Sequence, residues 1–287
     1  MTGHAASERG FGRPLAIFSL SVATLAILLF FYGRDLRGFV RESLMQSVTS
    51  AHYEILCPVG ALTQGAMTDF ATHREPLFAR LDKKLGNADS NLEIRIVLDP
   101  DLRASPQDDR KNSATFYAVS GTTIRANLHG AYPQLPAAGD AESLLYAAWG
   151  KPGNAQIARW TALWLVGNWS GGEIGMAAAQ VEQRLGHKKV ASVLVDPGNE
   201  ISSSDDRALL GAAWISEIAE FGGADAVRKL YATKMPHPSV AEAAQALGTT
   251  PPELDRKWQL WMYAYLAGMP PMQNGAGMEM DMPMPGR

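Results

Sequence analysis

From Pro14 to Gly33 the chain reads PLAIFSLSVATLAILLFFYG, twenty residues without a charge, closed by Arg13 on one side and Arg34 on the other. At about 1.5 Å per residue a helix of that length matches the roughly 30 Å hydrocarbon core of a bilayer, so the segment predicts a transmembrane helix. A cleaved signal peptide has a shorter apolar run, about 7 to 15 residues, and a small-x-small cleavage site, whereas this run ends in FFYGRDLR. The expectation is a single-pass anchor over residues 14–33, a short N-terminal tail before it (1–13) and a juxtamembrane helix or linker after it (34–50). Arg9 and Arg13 precede the span and Arg34, Arg37 and Arg41 follow it, a count that by itself predicts a cytoplasmic C-terminal part, although long domains often translocate regardless of flanking charge.

The chain beyond the anchor is long enough to bury a core of its own. With 46% hydrophobic and 19% charged residues the composition is that of a globular protein. Lys and Arg number 26 against 29 Asp and Glu, for a net charge of -3, and no basic run is interleaved with aromatics, which argues against a nucleic-acid partner. The one cysteine, Cys57, excludes an intrachain disulfide and any CxxC motif, and reads as a small buried apolar residue.

Periodicity predicts an α+β fold. HYEILCPV (52–59) reads as a strand, and residues 62–86 place Met67, Phe70, Leu77, Phe78, Leu81 and Leu85 at helical spacings, with Pro76 starting or kinking the second half. LEIRIVLD (92–99) alternates as a strand, and ATFYAVSGTTIRANL (114–128) reads as a hairpin turning at Ser120-Gly121. Residues 51–130 thus predict a small mixed or antiparallel sheet with a helix packed on it, and residues 139–268 an all-helical subdomain. In the latter, Ile174, Ala177, Ala178, Val181 and Leu185 form one apolar stripe, and Leu210, Trp214, Ile218 and Phe221 a second. Thr250 and Glu253 have capping-box spacing ahead of a helix carrying Leu254, Trp258, Trp261, Met262 and Tyr265 on one face. RWTALWLVGNW (159–169) is too short to span a bilayer and apolar all round, so it belongs at the centre of the helical core.

The order of strand, helix, strand and hairpin, followed by WGKPGNAQIARWTALWLVGNWSGG and ALLGAAWISEIAEFGGADAVRKLYA, resembles the membrane-anchored, peptidase MA-like gluzincin zinc peptidases. The resemblance covers about residues 50–268 and closes on a G-x-(S/T)-x-x-E-L-x-x-x-W signature, here Gly248, Thr250, Glu253, Leu254 and Trp258. It implies a gluzincin-like fold and an extracytoplasmic domain. Active members carry HExxH on one helix and a third zinc ligand on the next. The frame that fits best puts Ala141, Glu142 and Leu145 at the HExxH positions and Leu163 at the third ligand. Only the glutamate is kept, and Glu142 also reads as an exposed first-turn residue after an N-capping Asp140. Alanine and leucine have no lone pairs to give a metal, so the resemblance implies a peptidase-like domain without its zinc site, and no cofactor, metal-ligating or catalytic residue is assigned.

Nothing local replaces the lost ligands. His4, His52, His73, His129, His187 and His237 are all more than five residues apart, so no sequence-local pair chelates. His52 and Cys57 fall at opposite parities of a strand and are expected on opposite faces. GNWSG (167–171) differs from a nucleophile elbow by one position, and neither a P-loop nor a Rossmann fingerprint occurs. The last segment, 269–287, holds six of the twelve methionines; its Pro, Gly and Asp content predicts disorder, and Met278, Met280, Met282 and Met284 alternate as soft ligands for Cu(I) could.

The sequence thus leads to a single-pass membrane protein with a non-catalytic binding or scaffolding domain, partnered by the bilayer and by an extended peptide or protein. The competing expectations are an active metallopeptidase with unforeseen ligands and copper handling by the tail.

Overall fold

The computed structural model describes residues 45–86, 92–102, 117–169, 172–186, 188–194, 201, 203–235 and 239–268. The anchor at 14–33 and the methionine tail lie outside the described residues; among those described, no helix is long and apolar enough to cross a membrane.

The first half is a five-stranded mixed sheet in the order β1-β2-β3-β5-β4, built from β1 (Met45–Thr49), β2 (Tyr53–Pro58), β3 (Ile94–Asp99), β4 (Tyr117–Ser120) and β5 (Thr123–Asn127). β2, β3 and β5 run parallel, and β1 and β4 close the two edges antiparallel. Parallel neighbours need a crossover, which α1 (Gln64–Leu85) supplies between β2 and β3. Thr63 caps its start by accepting from the Ala66 N–H, the helix continues through Pro76, and Gly86 ends it with a φ of 75°. Alternation on the strands turns Tyr53, Ile55, Cys57, Ile94, Ile96, Leu98, Ile124 and Ala126 toward α1 and the helices that follow, where they form one buried cluster.

Sequence and structure differ at β1. Residues 45–49, expected within a helix or linker, pair with β2 from Met45↔Pro58 to Thr49↔Glu54. As an edge strand of which no residue is fully buried, it lacks the strict apolar alternation that marks β2 and β3.

A short α2 (Leu128–Ala131) leads into α3 (Ala137–Trp149) and α4 (Ala155–Val166). Asn154 starts α4 by accepting from the N–H groups of Gln156 and Ile157 while its own amide donates to the Met235 carbonyl at 2.7 Å. α4 is the wall between two cores. Ile157 and Trp160 belong to the helical core, Ala158, Ala162, Leu165 and Val166 to the sheet core, and half-buried Leu163 and Trp164 touch both. Trp160 packs edge-on against Trp214 and lies flat over Gly211, where any Cβ would come within 2.2 Å of the indole.

The helical core is completed by α5 (Ile174–Leu185), α6 (Val190–Leu194), α7 (Ser204–Ala232), α8 (Val240–Leu247) and α9 (Pro251–Leu266). A two-strand hairpin, β6 (Asn168–Trp169) and β7 (Gly172–Glu173), interrupts this run, where only helices are expected from the sequence. Leu254, Trp258, Trp261, Met262 and Tyr265 are buried as their spacing predicts. Two other expectations fail. Phe221 is 37% exposed, with the Lys257 ammonium over its ring, and α7 breaks at Gly223 (φ 70°) just beyond it. Thr250 begins α9 without a side-chain cap, and the Glu253 carboxylate accepts a bidentate pair from Arg256 rather than reaching back to the Thr250 N–H.

Candidate functional site

The positions that the resemblance assigns to zinc lie on α3 and α4. Ala141 and Leu145 are 0% exposed and share one apolar cluster with Leu163. Asp140, expected as the N-cap of α3, sits instead within its first turn and is wholly buried, facing Arg74 of α1. Arg74 donates through Nε (3.1 Å) and through Nη2 to the Asp140 carboxylate, and through Nη1 to the Leu135 carbonyl. The Tyr53 hydroxyl faces the same carboxylate without a well-formed hydrogen bond, and burial, followed by the Asp140 charge, pushes its pKa up. A guanidinium this deeply placed needs such a partner, since an unpaired buried charge is costly.

Glu142 is half-buried and accepts from the Tyr117 hydroxyl at 3.2 Å, so it ties α3 to the edge strand β4 rather than standing in solvent. Its charge joins burial in raising the pKa of Tyr231, whose hydroxyl donates to the Gly150 carbonyl. Ala118 and Ser120 of β4 are exposed, and the Tyr146 ring lies beside the hairpin turn at Gly121. The turn has two residues, so Ser120 and Thr123 make the closing hydrogen-bonded pair, and the next pair, Val119 and Ile124, aims the Val119 N–H outward. Among the described residues no strand pairs with this outer edge.

Among the described residues the histidines do not converge. His73 (Nδ1 against the Asp69 carbonyl) and His129 stand on separate helices, and His4, His187 and His237 lie outside the described residues. His52 stacks on Phe78, with its Nδ1 2.6 Å from Glu75, while the Cys57 thiol lies against Met67. Both therefore face α1, contrary to strand parity, because His52 sits in the turn before β2 begins; they address different turns of the helix. Burial pushes the Glu75 carboxyl up, but hydrogen bonds from Ser50 and His52 outweigh it and hold it below its ordinary range. Among the described residues no group of three His, Cys, Asp or Glu side chains is placed to hold a metal ion.

A second site is not legible in the sequence. Where α4 ends, a cleft of about 290 Å³ is lined by Lys84, Trp164, Ile174, Ser216, Glu220 and Tyr265, from five separate helices, and by Glu173 of the β6–β7 hairpin. Lys84 donates to the Leu165 carbonyl (3.0 Å), Glu173 accepts from the Tyr265 hydroxyl (2.8 Å) and Glu220 from the Trp261 indole (2.7 Å). These residues are up to 181 positions apart in sequence, so no local pattern could announce them.

Comparison of the chain with protein-family models, with curated proteins and with solved structures finds no match.

Proposed function

We propose that this chain is a membrane-tethered, peptidase-like protein whose domain binds an extended peptide and does not hydrolyse it. The observation that carries the reading is the burial of Ala141 and Leu145 in one apolar cluster with Leu163: hydrocarbon fills the positions from which the resemblance would have zinc held. Glu142 then serves β4 through Tyr117 instead of a metal-bound water. An extended peptide pairs with β4 by strand addition, its backbone meeting the outward N–H of Val119.

Metal content and peptide binding test the two parts separately. Full-length protein purified in detergent and dialysed carries no stoichiometric zinc, and the variant A141H/L145H/L163E gains it; zinc in the unaltered protein refutes the reading. A fluorescein-labelled heptapeptide of alternating valine and threonine binds the same preparation, and Val119→Pro, which removes an outward donor from an edge strand, abolishes that binding. Absence of binding, or equal binding by the proline variant, rejects strand addition.

A further inference from the structure

The cleft at the end of α4 holds opposite charges that do not pair with each other. The Lys84 ammonium is bonded to the Leu165 carbonyl and the Glu173 carboxylate to the Tyr265 phenol, although both line the same 290 Å³ space. Two glycines leave room for Lys84 and for the Tyr265 ring that holds Glu173. A Cβ at Gly167 would stand 2.5 Å from the Lys84 Nζ, and a Cβ at Gly175 would stand 2.3 Å from the Tyr265 ring, so any side chain at either position displaces one of the two groups that face the cleft. Gly167 also takes a φ of 80°, which other residues rarely adopt. The same cleft is lined by the apolar side chains of Trp164, Ile174 and Ala219.

From this geometry we infer that the cleft is a binding site for a small zwitterion, a free α-amino acid or a dipeptide, with its carboxylate on Lys84, its ammonium on Glu173 and its side chain against Trp164. An ammonium there also meets Glu220, whose carboxyl burial pushes up, with the Trp261 hydrogen bond opposing and the Glu173 charge adding to the rise. The volume suits a ligand of that size, and charge-assisted hydrogen bonds at both ends give it orientation. The cleft shares no residue with the β4 edge, so the inference stands independently of strand addition.

Isothermal titration of full-length protein in detergent tests it, with L-phenylalanine and alanylphenylalanine as probes and their methyl esters and N-acetyl forms as controls. At least one zwitterion binds saturably at millimolar concentration, and each capped form binds at least about tenfold more weakly. Lys84→Met erases the preference over the ester, and Glu173→Gln the preference over the N-acetyl form. Both residues are exposed, so the variants fold, as an unchanged melting temperature verifies. No saturable binding by either zwitterion, equal binding of the capped forms, or a preference that both variants retain overturns the assignment.

Discussion

The protein treats charge in two ways. Between α1 and α3 the charged groups are sealed: Arg74 and Asp140 are both buried and paired with each other. At the end of α4 Lys84 and Glu173 line an open cleft, each held by a neutral hydrogen bond. Sealed charges lock elements to each other, because leaving either one alone is costly, whereas charges in the cleft are available to something else.

The largest effect is expected where the seal is broken. Asp140→Ala leaves the Arg74 guanidinium buried without its carboxylate and costs about 3–5 kcal/mol of stability, read by denaturant unfolding of the full chain in detergent. A loss below about 1 kcal/mol would show water reaching Arg74 and dissolve the contrast.

Glu217 sharpens the comparison, being 1% exposed like the sealed pair but without a hydrogen-bond partner among the described residues for its buried Oε2. Burial, eased by the Lys257 charge and reinforced by Glu220, pushes its carboxyl up to about 8 from 4.5. The unfolded chain ionises this group near 4.5 and the folded chain only near 8, so the favourable contribution is complete below 4.5 and is lost as pH rises through that window. Glu217→Gln removes this slope and stabilises the protein at alkaline pH by an amount on the order of a few kcal/mol. Thermal melts at about pH 5 and about pH 8 check it; equal slopes in variant and parent refute it.

The smallest effect belongs to the cleft. Lys84→Met combined with Glu173→Gln changes stability by no more than about 0.5 kcal/mol in either direction, since neither charge has an ion-pair partner among the described residues. A loss of about 2 kcal/mol or more would mean that these residues hold the structure, and the contrast between sealed and available charge would fail.

What the sequence made legible was periodic and local. The alternation of β2 and β3, the helical spacing of α1 and the apolar face of α9 each reflect burial on one side of a regular element. Asp140 and Thr250 were misleading because a short polar residue near a helix start fits the capping pattern whether or not it caps. Asp140 is claimed by Arg74, 66 residues earlier, and Glu253 by Arg256, and neither competitor shows in a four-residue pattern. β1 was hidden because a half-exposed edge strand needs no strict alternation. The cleft was hidden because it exists only after five helices meet.

The two-sided burial of α4 has a consequence for how the molecule comes apart. A partition shared by two rooms cannot be taken from one without opening the other, so the sheet half has no folded existence apart from the helical half, nor the reverse. Heat or denaturant meets a single indivisible unit, and a chain severed on either side of residues 155–166 yields fragments rather than domains.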